Sequence, residues 1–378
     1  MSPLRVVMVT DSFKPKIGGI ESVLCDLAKV MSRSHEVYIV TSSKTAHSTY
    51  VYEDGLGYVT VRLKSRRFNY NGVTLSPSTG VALYKLVKSL DPDVIHGHGT
   101  FSTLSIAGAL MGSKVVKTPS LVTAHSFIGR DTPQYVVKGL ELALRRVDMV
   151  TAVSKAVAED VMRRLKVSRV TVTYNCLLAD EWVRREGEAM DLEGDPVVSS
   201  VIRLTHRKNP LVLVKIAEAL AREAPKAKLY IAGDGPLRKP LESRVKARGL
   251  KNIVFLGALR RNDVKKLLWS TDIFVLPSRV EAFGISALEA MASKVPVVAF
   301  RSGGIPEVVV DGVTGLLASG DDDLARLTVN LALDRELSKN LGLNAELRAR
   351  MFDCNIVVGR YLQLYRLVER MCDERGLG

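Results

Sequence analysis

The run from Pro277 to Ala292, PSRVEAFGISALEAMA, reads as a strand end, a turn at Phe283-Gly284, and a helix. Glu281 stands at the mouth of this turn, and Glu289 sits two turns inside the helix. Between them, the N–H groups around Phe283, Gly284 and Ile285 open a helix N-terminus, which suits phosphate. Two carboxylates beside a phosphate are unfavourable unless they take hydroxyls, as a sugar and a ribose would offer. Taken alone, the pattern fits solvated surface acids better. Arg203 ends a strand and Lys208 follows five residues on, so both can converge on a diphosphate, although simple surface solvation is an equal reading. Departure of a nucleoside diphosphate without a metal needs such cations, because charge builds on the leaving oxygen. Gly18-Gly19 lies between the first strand and first helix, where glycines permit close backbone approach to an anion or simply make a tight turn. His125 follows the strand SLVTA.

The elements that must position these residues alternate along 378 residues, enough for two or three domains. Short β-rich runs (LRVVMVT, EVYIVT, DVIH, SLVTA, DMVTAV) alternate with helical patterns, which predicts α/β architecture with a parallel sheet. A second such series starts at Pro196. The expected organisation is an N-terminal Rossmann-like domain over 1–178 and a linker over 179–195. A second Rossmann-like domain over 196–354 follows, the one to which the resemblance given below assigns the nucleotide sugar, then a C-terminal helix over 355–378 that packs back on the first domain. Two such domains facing each other form a cleft. The candidate residues all follow strands, where ligands bind in open α/β sheets.

Composition narrows the partners. Apolar residues are 47% and charged residues 25%, so the chain buries a core and is not disordered. Net charge is +14, of which residues 1–178 carry +10, an excess that attracts nucleic acid, anionic lipid or phosphorylated substrates alike. The uncharged run Val94 to Ser113 is densely apolar only over Leu104 to Met111, so no transmembrane helix is expected. The start MSPLRVVMVTDSFKP has no signal-peptide pattern, which gives a cytoplasmic expectation. Cys25, Cys176, Cys354 and Cys372 are far apart in sequence, which argues for reduced thiols and against a disulfide framework.

Three patterns that mimic metal or acid sites are set aside. Asp91-Pro92-Asp93 has a metal-binding form but joins a helix to a strand, which predicts a solvated turn. His96 and His98 have a ligand-like spacing, yet are expected on opposite faces of an extended backbone with no third ligand. Asp321-Asp322-Asp323 is expected to cap a helix. No metal and no cofactor is expected.

In order along essentially the whole chain, Gly18-Gly19-Ile20-Glu21, Arg203 with Lys208, Gly233-Asp234-Gly235-Pro236, the Glu281-to-Glu289 spacing and Gly303-Gly304-Ile305-Pro306-Glu307 resemble the family 4 retaining glycosyltransferases. Within that family, DSFKPKIGGIES, HGHGTFSTLSIAGALMGSK, TAHSFIG and GGIPEVV are most similar to the catalytic subunits that add N-acetylglucosamine to phosphatidylinositol. The resemblance implies the GT-B fold of two facing Rossmann domains. It also implies Arg203 and Lys208 on the donor diphosphate, Glu281 on the donor sugar and Glu289 on the ribose. His125 would lie beside the reacting sugar, Gly18 and Gly19 near phosphate or acceptor, and the base near Leu256-Gly257. The chain departs from the family at Ile202 (usually Gly), Asn209 (usually Gly) and Tyr174-Asn175-Cys176-Leu177-Leu178 (usually PNGVD), changes that bear on donor identity.

The activity expected is metal-independent, retaining transfer from a nucleotide-diphosphate sugar, UDP favoured, to a lipid or polyol acceptor. Lys64, Arg66 and Arg67, mixed with Phe68 and Tyr70, are either a solvated loop or a contact with an anionic membrane surface at the inner face of the membrane. A soluble acceptor, another hexose donor and a nucleotide-sugar epimerase are the rivals. Nucleic-acid binding is not expected, because no aromatic-rich motif or continuous basic helix accompanies the charge.

Overall fold

The computed structural model describes residues 2–11, 13–16, 18–43, 50–54, 57–65, 76–185 and 187–374. Two units divide the chain: the first takes 1–176 and 354–378, the second 177–353.

In the first unit the strands are β1 (Arg5–Thr10), β2 (Glu36–Ser43), β3 (Tyr50–Asp54), β4 (Val59–Lys64), β5 (Val94–His98), β6 (Ser120–Ala124), β7 (Met149–Ala152) and β8 (Thr171–Val172). They form one sheet in the order β3-β4-β2-β1-β5-β6-β7-β8. Only β3 runs antiparallel to its neighbour. The second unit holds β9 (Val197–Val201), β10 (Lys228–Ala232), β11 (Ile253–Gly257), β12 (Ile273–Leu276), β13 (Val297–Phe300) and β14 (Gly315–Ala318), all parallel, in the order β11-β10-β9-β12-β13-β14. Each sheet reverses strand order beside its first strand, at β1/β5 and at β9/β12. These are the positions where doubly wound sheets open a crevice at the strands' carboxyl ends.

Central strands are buried on both faces and so read as continuous apolar runs; Val6 to Val9 and Val297 to Ala299 are all fully buried. The covering helices show the 3.6 period: Gly19–Met31 buries Val23, Leu24, Leu27, Ala28 and Met31. Each of the Val, Leu and Met side chains contributes roughly 1.5–3 kcal/mol. Leu27→Ala should therefore cost about 2–5 kcal/mol through the cavity it leaves.

The described residues of 179–195, expected as a linker, belong to the second unit. Trp182 is fully buried beneath the cations of Arg261 and Lys265, each 5.5 Å from its ring, and Met190 and Leu192 cover Val197, Tyr230 and Leu267. A few large anchors hold this segment without any helical or strand period to announce it. The C-terminal helix Cys354–Asp373 belongs to the first unit and buries Val357, Val358, Tyr361, Tyr365 and Val368.

The thiol expectation is corrected: Cys176 and Cys354 form a disulfide, with Cα atoms 4.9 Å apart and a sequence separation of 178. These residues are where the chain leaves and re-enters the first unit. Spacing along a sequence cannot reveal a pair that only the folded path brings together. Cys25 and Cys372 are free and buried. Asp91 is a left-handed helix cap, and the Asp93 carboxylate accepts the Arg5 backbone N–H at 2.6 Å, so this pair makes a turn. Asp321 to Asp323 occupy the first turn of helix Asp321–Leu333, with Asp323 accepting the Ser319 N–H at 2.9 Å.

Candidate active site

In the second unit, β9 and β12 flank the switch point, and the chemistry lies just past both. After β9 the chain turns through Ile202, Arg203 and Leu204 against the Gly233-Asp234-Gly235 loop: Ile202 N–H donates to Ala232 O at 3.0 Å and Leu204 N–H to Asp234 O at 2.9 Å. Gly233 is required there, since a Cβ at its φ of +137° would collide with the Ile202 carbonyl oxygen. One turn of 3₁₀ helix, His206–Lys208, then ends at Asn209, whose φ of +50° is left-handed. Asparagine is among the few non-glycine residues that tolerate this region, which accounts for Asn209 where the resembled family has Gly.

Lys208 meets Glu281 here, Nζ to Oε2 2.5 Å, with both side chains largely buried. The Glu281 carbonyl accepts the Gly304 N–H at 2.9 Å, tying the Gly303-Gly304 turn to the same place. Phe283 is buried edge-on against Phe352, with ring centroids 5.6 Å apart. Gly284, at φ +96°, starts helix Ile285–Ala292. Its first N–H groups have no acceptor within the helix and form a positive end beside the Lys208–Glu281 pair. Glu289 is half-buried on the second turn. Arg203 is exposed on the turn that leads to Lys208. Gly257 closes β11, its carbonyl accepting the Gly233 N–H at 2.6 Å.

In the first unit the switch point lies between β1 and β5. Gly18 N-caps helix Gly19–Met31. The Glu21 carboxylate folds back over Gly18, filling the space a Cβ would need, and pairs with Lys16 at 3.3 Å. The anion-favouring helix start thus carries the protein's own carboxylate. Ile17 lies outside the described residues, as do Arg66 and Arg67; Lys64 is exposed at the end of β4.

His96 and His98 end β5 on one face, not two: their rings stand 3.9 Å apart. Residues i and i+2 of a strand share a face, so the expectation of opposite faces was mistaken. His96 is satisfied at both nitrogens, Nδ1 to Tyr365 Oη at 2.8 Å and Nε2 to Thr123 Oγ1 at 2.6 Å. His98 Nδ1 lies 3.1 Å from His125 Nε2. Burial lowers His96 to about 3 and His125 to about 4 and holds His98 well below the ordinary histidine range, so all three are neutral at pH ~7. His98, Tyr361 and Tyr365 were not singled out as site residues from the sequence; the HGH spacing was the one available signal. Among the described residues no three His, Cys, Asp or Glu side chains cluster as metal ligands.

Residues 17–179 match the family described as Glycosyltransferase Family 4, and residues 186–348 match Glycosyl transferases group 1. The chain belongs to the family 4, group 1 glycosyltransferases. A phosphatidylinositol N-acetylglucosaminyltransferase subunit of Arabidopsis thaliana is 28% identical over 333 residues, 85% of this chain and 73% of the relative. The GDP-mannose-dependent monoacylated alpha-(1-6)-phosphatidylinositol monomannoside mannosyltransferase of Corynebacterium glutamicum is 27% identical over 352 residues, 87% and 89% of the two chains. Among solved structures, HepE of Anabaena in complex with UDP and glucose superposes with TM-score 0.77 at 20% identity, covering 96% of this chain and 99% of that one. The fold of this glycosyltransferase is GT-B. Lys208 and Glu281 fall in its group 1 segment, and Gly18, Gly19, His98 and His125 in its family 4 segment. No helix among its described residues is long and apolar enough to cross a membrane.

Proposed function

We propose that this glycosyltransferase moves N-acetylglucosamine from a UDP donor to the inositol ring of a phospholipid, with retention at the anomeric carbon and without a metal. The observation that carries the reading is the Lys208–Glu281 pair at the start of helix Ile285–Ala292. A cation and a helix N-terminus fit a diphosphate, while a carboxylate held beside them fits sugar hydroxyls. The two relatives differ in the sugar their names print but share phosphatidylinositol, which supports the acceptor class. The UDP in the Anabaena structure supports the donor class.

In the reaction, the bond between the anomeric carbon and the β-phosphate oxygen breaks, and a bond from the same face to the acceptor oxygen forms. The departing phosphate oxygen takes the acceptor's proton. Lys208, Arg203 and the helix N–H groups stabilise the negative charge on the leaving diphosphate, the role Mg²⁺ fills elsewhere. Glu281 holds the sugar by its hydroxyls and Glu289 the ribose.

The test presents UDP-N-acetylglucosamine, UDP-glucose, GDP-mannose and ADP-glucose with vesicles that contain phosphatidylinositol, and reads the product by mass spectrometry and the anomer by NMR. An α-linked N-acetylglucosaminyl lipid is expected. Product only on soluble polyols, or release of UDP with an epimerised free sugar, would replace this reading with one of its rivals.

A further inference from the structure

The segment between β1 and helix Gly19–Met31 carries two lysines with different partners. Lys16 takes the ordinary course and pairs with the Glu21 carboxylate at 3.3 Å. Lys14 instead sets its Nζ 2.7 Å from the sulfur of Cys25, which lies on the helix. A thiol is a weak acceptor and Lys14 is exposed, so hydrogen bonding alone does not explain why this nitrogen leaves water for sulfur. The contact is also close for its atoms. The same sulfur keeps the Tyr58 hydroxyl oxygen, an atom of similar size to nitrogen, at 3.4 Å.

The sulfur is held on its other side. Cys25 and Tyr58 are both buried, and the Tyr58 ring stands edge-on to Phe13 with centroids 6.3 Å apart. Burial, and then the contact with Cys25, hold the Tyr58 phenol above its ordinary range, so it stays an O–H group beside the sulfur. Lys14 is the exposed member of the three, and its side gives a small oxidant a route to the sulfur. A separation of 2.7 Å is too long for a nitrogen–sulfur bond, but it matches the span of two single bonds through one bridging atom. The same unit already holds an oxidised sulfur pair, Cys176 with Cys354.

We propose that Lys14 and Cys25 form a modification site, at which peroxide joins the two side chains through a single oxygen as Nζ–O–Sγ. First the thiol becomes a sulfenic acid while one peroxide is reduced to water. Then the sulfenic O–H and one N–H of the neutral amine are lost and the O–N bond forms. A second peroxide takes both hydrogens and becomes two waters. Each step moves two electrons. Dithiol reductant reverses the change by supplying four hydrogens, which return the thiol, the amine and one water. The bridge closes the chain from 14 to 25 on itself, and so ties the Gly18-Gly19 turn to its own helix.

The test treats the full chain with hydrogen peroxide, digests it with trypsin without reductant and reads the peptides by mass spectrometry. Trypsin spares the Lys14-Pro15 bond and cuts after Lys16, so peptides 6–16 and 17–29 should appear joined. Their mass should exceed the sum of the two by one oxygen less two hydrogens, and dithiothreitol should separate them. Lys14→Arg, which keeps the charge, and Cys25→Ala should give no joined pair. In Lys14→Arg the Cys25 sulfenic acid should run on to sulfinic acid, because no amine intercepts it, a change that a merely structural contact would not produce. Sulfinic or sulfonic acid at Cys25 of the wild type beside an unmodified Lys14, or a Cys25 that survives peroxide as a free thiol, overturns the proposal. The mass spectrum decides the bridge whether or not any donor supports glycosyl transfer.

Discussion

The Lys208 ammonium lies 2.5 Å from the Glu281 carboxylate, so the cation assigned to the donor phosphates is held by the acid assigned to the donor sugar. In the proposed reaction the two charges hold each other in a partly buried setting, and a bound diphosphate would compete for the lysine and free the carboxylate for hydroxyls. Removing either partner leaves the other uncompensated.

Lys208→Ala and Glu281→Gln should each lower turnover by ~10²–10³-fold, because each removes a group that acts on charge developing in the transition state. The double variant should be little worse than the poorer single one, since the residues act as a unit. Steady-state kinetics on all three proteins, with circular dichroism to verify folding, checks this. Near-normal turnover in either single variant would remove the pair from the site.

The buried histidines make stability depend on pH. An unfolded histidine takes up its proton near pH 6.5, whereas folded His125 stays neutral down to about 4 and His96 down to about 3. The unfolded chain therefore binds more protons across that interval, and stability is lost as pH falls from 6.5, by about 1.4 kcal/mol per pH unit for each histidine. Thermal melts should show Tm falling steadily between pH ~6.5 and ~4.5, and falling less in His96→Gln, which has one buried base fewer. A flat Tm over this range would mean the rings are not kept neutral by burial.

Much of this was legible in the sequence, and the exceptions share a cause. Strand runs, the turn at Phe283-Gly284 and the cations after β9 are local patterns of type and spacing, and the fold sets Lys208 against Glu281 across 73 positions because both follow strands that flank one switch point. The meeting of Cys176 with Cys354, of His98 with His125, and of His96 with Tyr365 depends on strand order and on the return of the last helix to the first unit. Sequence spacing carries no trace of those. Asn209 shows the reverse: it looks like a lost family glycine until its left-handed φ reveals the same backbone demand met by another residue.

The disulfide should be measurable directly. Denatured without reductant, the protein should expose two reactive thiols, Cys25 and Cys372, of its four cysteines. A cross-link closing a loop of 178 positions restricts the unfolded chain by up to about 5 kcal/mol in the chain-entropy account. Reductant, or the double change Cys176→Ser and Cys354→Ser, should lower Tm by several degrees. Four reactive thiols before reduction would contradict the pairing.

Transfer should continue in excess EDTA. In the proposed mechanism Arg203, Lys208 and the start of helix Ile285–Ala292 would supply the positive potential. Turnover abolished by chelation and restored by Mn²⁺ would transfer that role to a metal.

Charge leads us to expect membrane association. The first 178 residues carry +10 of the net +14, and Lys64, Arg66 and Arg67 stand among aromatic residues, so this half should dock on anionic bilayers and reach a lipid acceptor there. With each cation near the surface worth about 1 kcal/mol, binding is reversible and screened by salt. Sedimentation with liposomes should show binding that rises with anionic lipid content and falls with ionic strength. Neutralising Lys64, Arg66 and Arg67 together should weaken vesicle binding while UDP still raises Tm, because Lys208 and Glu281 belong to the other unit. Equal partitioning of wild type and variant would take these three cations out of the account, and no vesicle binding at low salt would point to a soluble acceptor.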